Sequence, residues 1–293
     1  MSAGAAPRPR WLGAAPYAFV SLWSGGFTAI ALCLPHVEPL TLQVLRYAAV
    51  VALLLPLWLA LRPELPPRAT FWHLVRMGLL VQFGFFAAMN LAMQQGISAG
   101  AVALIVSMQP VAVAALAPRL VGDPPLGRRG WIGLGLGVLG AGVVIASRSG
   151  LGAGGWGGLF FALVALSAMT AGALLERHAG RATHLVTANL VMCAVALLAT
   201  LPLALLLETM RVEWAPGLFI GLAWMVFVNS LVALSLLFAM LRHGEAARVS
   251  SMFFLVPPIA AVMAWAVLGE VPSLQALLGT AVAVVGVALV VRR

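Results

Sequence analysis

Long apolar runs alternate along the chain with short stretches rich in Pro, Gly and charged residues. A membrane-spanning helix needs about 20 predominantly apolar residues, and ten runs approach that length, each ending at the kind of punctuation that turns require. The runs cover residues 14–34, 40–61, 70–93, 98–120, 130–147, 156–176, 184–207, 215–241, 246–268 and 273–291. The pattern therefore predicts an all-α, polytopic membrane protein with ten transmembrane helices.

The composition excludes a soluble globular protein. Of the 293 residues, 63% are hydrophobic and only 9% are charged, whereas a soluble domain carries about 25% charged residues. The two cysteines, Cys33 and Cys193, both lie in apolar runs, so they predict neither a disulfide nor a metal site. The histidines stand singly, and no serine is arranged with a histidine and an acid. We therefore expect no enzyme activity, no cofactor and no metal ion.

The arginines predict how the chain is oriented in the membrane. With both termini in the cytoplasm, 14 of the 17 arginines lie in inner segments or at inner helix ends, Arg148 and Arg211 lie outside, and Arg46 lies within a span. Such a positive-inside bias sets the topology, so the net charge of +9 is not a nucleic-acid footprint. We predict a multi-pass protein of the inner (plasma) membrane that contacts the lipid bilayer and a small-molecule substrate but no nucleic acid.

The two halves of the chain resemble each other. Corresponding residues lie 148 or 147 positions apart: Gly96 and Gly244, Pro110 and Pro258, Asp123 and Glu270, Pro125 and Pro272. Each half holds five spans, an odd number, so the second half must enter the membrane from the opposite side. The sequence thus predicts a 5+5 inverted repeat, with residues 1–147 as the first five-helix half and residues 148–293 as the second. Inverted repeats are typical of secondary transporters, in which two equivalent halves provide the outward- and inward-facing states.

The fifth and tenth spans each carry a face of small residues, at a constant offset of 146. These residues are Gly133, Gly137 and Gly140 in the first half and Gly279, Ala283 and Gly286 in the second. Small residues let helix backbones approach closely in a membrane, so we interpret both faces as helix-packing surfaces. Their partner is either another helix of the same chain or a second copy, so a monomer and a homodimer both stay open.

Short motifs in both halves resemble those of a known family. The motifs are LWSGGF at 22–27, PLT at 39–41 and LRY at 45–47, then LVPP at 255–258 and LGE at 268–270 followed by Gly279. The first three resemble the opening of an EamA-type half in the drug/metabolite transporter superfamily, and the others resemble its closing motif. The first half departs from the pattern, because Asp123 and a double proline stand where a Gly-Glu pair is expected. The resemblance covers nearly the whole chain and implies a transporter similar to the bacterial amino-acid and metabolite exporters, the aromatic amino acid exporters among them.

Polar side chains within spans are expensive in lipid and are therefore candidates for a functional site. Arg46 lies about six residues into the second span, roughly 9 Å deep, and shares one helical face with Gln43 and Tyr47. It is a candidate for binding a substrate carboxylate. The alternative is that Arg46 snorkels to the interface or satisfies backbone carbonyls. We favour this structural role, because the arginine belongs to the family pattern whatever the substrate.

A second polar stripe runs along the third span, where Gln82, Phe86, Asn90 and Gln94 are spaced four apart. At the offset of 148, Gln82 corresponds to Ser230 in the eighth span, next to Asn229. We predict a central cavity lined by these two spans, with interhelical hydrogen bonding as the alternative. The candidate substrate-binding residues are Arg46, Tyr47, Gln82, Phe86, Asn90, Trp224, Asn229 and Ser230, with Trp23, Phe83 and Phe254 as further aromatic candidates.

The sequence also bears on how transport proceeds. Pro110 and Pro258 interrupt helical hydrogen bonding at equivalent positions of the fourth and ninth spans, so we expect them to act as paired hinges. None of the eight acidic residues lies near the centre of a span, where the carboxylates of proton relays usually lie. This predicts an uncoupled facilitator, although carbonyls freed near the two prolines leave sodium coupling open.

Together these observations predict an exporter of small amphipathic metabolites, foremost amino acids and aromatic ones among them, that works by alternating access. One alternative is a broader multidrug or metabolite carrier of the same superfamily. Another, from a different class, is a membrane-embedded enzyme, which would need a clustered acid, histidine or metal set that the sequence lacks.

Overall fold

The computed structural model describes residues 13–120, 122, 127–146, 153–176, 183–242 and 255–291. Throughout these ranges the chain is built of helices and has no β-strand, apart from one isolated antiparallel bridge between Val37 and Val212. This confirms the prediction of an all-helical protein. Of the residues singled out in the sequence, Asp123, Pro125, Arg148, Gly244 and Phe254 lie outside the described ranges.

The described residues form ten consecutive helices, which we number α1 to α10. They are α1 Ala15–Cys33, α2 Pro39–Leu61, α3 Arg68–Gln94, α4 Ala99–Leu120, α5 Arg128–Ala146, α6 Ala153–Glu176, α7 Leu185–Leu207, α8, which joins Pro216–Ala223, Trp224–Ala233 and Leu234–Arg242, α9 Val256–Leu268 and α10 Leu274–Val291. Seven of them, α1 to α4 and α6 to α8, are long and apolar enough to cross a membrane. Helices α9 and α10 hold shorter apolar stretches within the described residues, so the count of ten spans stays a prediction.

Proline and glycine set many of the helix ends. Proline occupies the first turn of α1, α2, α8 and α9, where its missing N–H has no intrahelical acceptor to lose. Gly96 after α3 and Gly269 after α9 adopt the left-handed conformation, with φ of 90° and 70°, which glycine adopts without steric cost. Ser98 caps α4 by accepting a hydrogen bond from the Ala101 N–H at 3.2 Å. These residues account for several of the helix boundaries.

Helices α2 and α7 run antiparallel and are joined at both ends. At one end the Glu208 carboxylate, just after α7, accepts hydrogen bonds from the Leu40 and Thr41 N–H groups at 2.8 and 2.7 Å. At the other end the Trp58 indole of α2 donates to the Thr187 hydroxyl of α7 at 3.1 Å. Because α2 and α7 hold the same place in the two halves of the sequence, equivalent helices run in opposite directions here.

Glu38 makes a reciprocal contact at the same end of the bundle. Its carboxylate accepts hydrogen bonds from the Thr209 N–H and hydroxyl at 3.2 and 3.0 Å. Desolvation alone would raise the pKa of Glu38, but the hydrogen bonds from Thr209 and from the N–H groups of Met210 and Arg211 outweigh it, so this pKa lies below its ordinary value. The loop after α1 and the loop after α7 are therefore linked by two carboxylates.

Helices α5 and α10 pack antiparallel along the small residues singled out in the sequence. A β-carbon added at Gly140 would lie 2.5 Å from the backbone nitrogen of Ala283. One added at Gly286 would lie 2.5 Å from the backbone nitrogen of Gly137 and 2.6 Å from the carbonyl oxygen of Gly133. Gly279 faces the Gly140 carbonyl in the same way. The two small-residue faces thus lie against each other within one chain, and the backbones approach closely because no side chain intervenes.

The remaining helices repeat their packing between the halves. Helix α8 lies against α1, and a β-carbon added at Gly221 would overlap the Ala29 carbonyl. Gly221 corresponds to His73 of α3 at an offset of 148, and Ala29 corresponds to Glu176 of α6 at an offset of 147. The Nε2 atom of His73 lies 2.9 Å from the Oε2 atom of Glu176. Helix α3 accordingly packs against α6. The contact between α1 and α8 is thus reproduced by the contact between α6 and α3.

Helices α3 and α8 each contain a π-helical segment, in which an N–H reaches the carbonyl five residues back. The segments are Gly78–Phe85 and Trp224–Ala233, and the first, moved by 148 positions, falls inside the second. Isolated π turns are frequent at functional sites. The first segment carries Gln82, and the second carries Asn229 and Ser230. In both halves the π segment therefore holds the polar residues from which the cavity was predicted.

Candidate functional site

Arg46 of α2 is buried in the middle of the helix bundle, with 2% of its surface exposed. Its Nε and Nη2 donate to the Ser230 hydroxyl at 3.3 and 3.1 Å, and the guanidinium carbon lies 4.0 Å from the centre of the Phe86 ring. The Nη1 group is buried without a hydrogen-bond partner among the described residues. The Arg46 side chain therefore does not extend to the surface of the bundle.

Ser230 connects α2, α7 and α8. Its hydroxyl accepts from Arg46 and donates to the Met225 carbonyl, five residues earlier, at 2.9 Å. Its own carbonyl accepts from the Asn189 amide of α7 at 2.7 Å. Asn189 was not among the residues singled out in the sequence, although an amide within an apolar run is the same signal that marked Gln82. The π segment of α8 thus holds Arg46 by a serine that is itself fixed from two sides.

Tyr47 and Gln82 join α2 to α3. The Tyr47 hydroxyl donates to the backbone carbonyl of Gln82, and the whole Tyr47 side chain is buried. Tyr47 therefore braces two helices, and its hydroxyl hydrogen is engaged with the backbone of α3. The side-chain oxygen of Gln82 and both polar atoms of Gln43 are buried without a partner in the described part of the chain.

A small cavity lies between α1, α3 and α8, beside Arg46. Its lining residues are Trp23, Gly26, Phe27, Phe85, Phe86, Met89 and Asn229, and its volume is about 10 Å³, roughly the space of one water molecule. The rings close on one another, with Phe85 and Phe86 at 4.7 Å and Trp23 and Phe86 at 6.4 Å between centres. The aromatic walls are thus in contact in this conformation.

Gly26 makes room for the amide of Asn229. A β-carbon at position 26 would overlap the Asn229 side-chain nitrogen, so the first helix must carry a glycine for the eighth to bring its amide here. The Asn229 side-chain oxygen is buried with no partner among the described residues. Sequence reasoning assigned the cavity to α3 and α8 and did not predict the wall that Gly26 and Phe27 of α1 provide, because the packing neighbours of α1 are set by the fold.

Asn90 and Trp224 lie outside this cavity. The Asn90 amide donates to the Pro39 carbonyl at 3.1 Å and so joins α3 to the first turn of α2. Trp224 packs against Gly25 of α1, and its indole N–H is buried without a partner among the described residues. The polar stripe predicted on α3 ends before Gln94, which is the last residue of the helix and is exposed.

Of the aromatic candidates, Trp23 lines the cavity, whereas Phe83 packs in apolar clusters formed mainly by α2 and α7.

The two prolines proposed as hinges lie at the starts of helical stretches. Helix α4 is interrupted at Met108, between Ala99–Ser107 and Gln109–Leu120, so Pro110 is the second residue of the latter stretch. Pro258 is the third residue of α9 as described. A proline is tolerated in a first turn, since the N–H it lacks would have no intrahelical acceptor there. In α4 the break at Met108 thus places Pro110 in the first turn of the second stretch, where it removes no helical hydrogen bond.

The site contains polar and aromatic groups but no carboxylate. Within the described ranges the acidic residues lie in loops or at helix ends: Glu38, Glu64, Glu176, Glu208, Glu213 and Glu270. No group of three or more His, Cys, Asp or Glu side chains in these ranges is arranged to hold a metal ion. What the site offers is one guanidinium, several amides and a set of rings, which is a lining for an organic ligand.

Known proteins match this chain at the level of family and fold. A model of the EamA-like transporter family matches residues 14–146 and, a second time, residues 156–292. A solved structure described as "Crystal structure of protein" is similar with a TM-score of 0.68 and 16% identity, over 95% of this chain and 95% of that chain; at this identity the likeness concerns the fold alone. No curated protein matches the sequence.

Proposed function

Because the chain belongs to the EamA-like transporter family, we propose that it exports small amphipathic metabolites, with amino acids, aromatic ones foremost, as its substrates. The chain is a multi-span membrane protein of this family. The finer proposal is that it spans the inner membrane ten times as a 5+5 inverted repeat, with both termini in the cytoplasm. The antiparallel pairs α2 with α7 and α5 with α10 support an inverted repeat, and the arginine distribution supports the orientation.

The observation that carries the substrate proposal is a set of buried polar atoms on α2, α3 and α8 that have no hydrogen-bond partner among the described residues. Each such atom costs about 1–3 kcal/mol while it stays unpaired. The Arg46 Nη1 group is a charged donor suited to a carboxylate, and the side-chain oxygens of Gln82 and Asn229 are acceptors suited to an ammonium group. A zwitterion supplies both complements in one molecule, which makes an amino acid the ligand of choice.

The rings around the cavity support an aromatic or otherwise apolar side chain on that amino acid. Trp23, Phe85 and Phe86 surround the space next to Asn229, and aromatic side chains add favourable ring contacts to the area they bury. A cationic drug fits less well, because Arg46 repels it and the carboxylates of the described residues lie at helix ends and in loops. A multidrug carrier is therefore an outcome of the test below.

The closed cavity implies that the helices around it separate during transport. We propose that α4 and α9 bend at Pro110 and Pro258, which hold equivalent positions in the two halves, so that one side opens while the other closes. We also propose that the substrate moves down its own gradient, because no described carboxylate lies in the middle of a helix. An imposed pH gradient, with the membrane potential clamped, should then leave the final amino-acid distribution unchanged; accumulation driven by protons or by sodium would refute the uncoupled mechanism.

The test is counterflow of labelled amino acids into liposomes that hold the purified protein. Labelled phenylalanine and tryptophan should exchange, and excess unlabelled aromatic amino acid should compete while sugar phosphates do not. If no amino acid moves, or if cationic drugs compete better than amino acids, the substrate proposal is wrong.

Two near-isosteric variants examine the site itself. Gln82→Met and Asn229→Leu each remove one side-chain acceptor, and we expect the half-saturating concentration to rise about tenfold in each, the effect of losing one hydrogen bond to a charged group. Gln94→Met is the matched control, because it removes an exposed amide at the end of the same helix as Gln82. An unchanged half-saturating concentration in both site variants would mean that Gln82 and Asn229 do not bind the substrate.

A further inference from the structure

A second concavity lies on the surface between α3, α4 and α6, and it shares no lining residue with the cavity beside Arg46. It is an open groove of about 670 Å³, a volume typical of ligand sites. Leucines of all three helices form its walls, among them Leu79, Leu116 and Leu175, and Arg76 is its single charged residue.

Among the side chains that line this groove, only Arg76 has hydrogen-bond donors left for a ligand. The hydroxyls of Ser167 and Thr170 line it, but they donate to carbonyls of their own helix at 2.8 and 2.7 Å. Water gains little in such a lining, since it needs two to four polar partners to be held in place. The groove is therefore suited to hydrocarbon.

The surroundings of the groove place it against lipid. Leu120 at its edge is 63% exposed, and Leu163, on the turn of α6 that precedes Ser167, is 49% exposed. In a membrane-spanning protein, large apolar side chains exposed on the outer surface of the bundle contact acyl chains. A groove in such a surface is filled by an acyl chain as well.

Arg76 determines which lipid fits best. It lies eight residues after the start of α3, about 12 Å along the helix, and its long side chain can carry the charge to the headgroup level. It has no ion-pair or hydrogen-bond partner among the described residues, and Glu176 on the neighbouring helix is engaged with His73 at 2.9 Å. The guanidinium is thus available to a phosphate.

We propose that this groove binds an anionic phospholipid of the cytoplasmic leaflet, with one acyl chain between α3, α4 and α6 and the phosphate held by Arg76. Basic pockets between transmembrane helices on the cytoplasmic side bind acidic headgroups for the same reason. The bound chain would touch α3, which carries Gln82, and the half of α4 that follows Met108. Lipid occupancy would therefore bear on helices that move during transport.

The test is lipid titration of the purified, delipidated full-length protein, followed by native mass spectrometry. The probes are dioleoylphosphatidylglycerol, which is anionic, and dioleoylphosphatidylcholine, which is zwitterionic. We expect Arg76→Gln to weaken binding of the first lipid about fivefold, the contribution of one arginine near a charged membrane surface, and to leave binding of the second nearly unchanged. Raising the salt concentration should remove most of this difference.

Two further variants separate the groove from the general charge of the surface. Arg68→Gln removes an arginine from the same end of the same helix that does not line the groove, so it should not change binding. Ala171→Trp fills the groove from an exposed position and should reduce binding of both lipids. Equal losses in Arg76→Gln and Arg68→Gln, or wild-type binding in a folded Ala171→Trp variant, would overturn the proposal.

Discussion

The contact between α5 and α10 predicts that one methyl group at Gly140 destabilises the whole protein. A β-carbon there would lie 2.5 Å from the backbone nitrogen of Ala283 and 2.8 Å from its β-carbon, whereas carbon atoms pack at about 3.5–4.0 Å. The obstacle is largely backbone, which cannot rotate away as the end of a flexible side chain can. Helix α10 must therefore shift by roughly 1 Å, a gap that removes up to about half of the attraction in each packing contact.

Gly135 of the same helix provides the matched control, because a β-carbon there meets nothing within 4 Å. Gly→Ala raises helix propensity by up to about 1 kcal/mol at both positions, so this gain cancels when the two variants are compared. The remaining difference is the steric cost of overpacking, about 1–3 kcal/mol. Gly135→Ala should be neutral or slightly stabilising, and Gly140→Ala should be destabilised relative to it by that amount.

The assay is thermal unfolding of the detergent-solubilised protein, followed by the loss of the monodisperse peak in size-exclusion chromatography. The steric cost corresponds to a melting temperature about 2–10 °C lower for Gly140→Ala than for Gly135→Ala. Gly286→Ala, on the partner helix, should behave like Gly140→Ala. The close backbone approach would be disproved by a Gly140→Ala variant that melts at or above the temperature of Gly135→Ala.

Three further predictions concern the loops and the prolines. The lowered pKa of Glu38 means that its stabilising effect is present above the ordinary value of about 4.3 and disappears as the pH falls through the folded value. The melting temperatures of wild type and Glu38→Gln should therefore converge as the pH falls below about 4.3, and a constant gap would contradict this. Glu208→Ala removes the hydrogen-bond acceptor at the start of α2 and should lower the free energy of unfolding by about 1–2 kcal/mol. Glu213→Ala, which changes an exposed carboxylate, should lower it little, and thermal unfolding measures both. Replacing Pro110 and Pro258 together by Ala should slow counterflow while leaving yield and half-saturating concentration nearly intact, and wild-type rates would exclude the hinges.

The helices were predictable from the sequence because lipid demands long apolar runs. The second apolar run covers residues 40–61 and the helix is Pro39–Leu61; the seventh run covers residues 184–207 and the helix is Leu185–Leu207. The π segments were not predictable, since apolar residues face every direction in a buried helix and leave no period that a five-residue hydrogen bond would disturb. The stripe predicted on α3 stops short of Gln94 because this residue ends the helix and is exposed.

The site was predictable as far as single residues carry a signal. Arg46, Gln82 and Asn229 stood out as polar groups in apolar runs, whereas Gly26 carries no such signal, because its role depends on which amide packs against it. The choice between substrate binding and structure for Arg46 could not be made from spacing alone. In the structure its guanidinium donates to Ser230 on one side, and on the other side Nη1 has no partner within the described ranges.

The paired π segments have a consequence for changes in chain length. A π turn accommodates one residue more than an α turn while the helix on either side keeps its direction. Deleting a single residue within Gly78–Phe85 or Trp224–Ala233 would let that stretch close into regular α-helix, with the flanking turns still facing their neighbours. The same deletion in the middle of a regular helix such as α7 would turn all that follows by about 100°. Single-residue length variation is therefore expected to concentrate in these two stretches of α3 and α8.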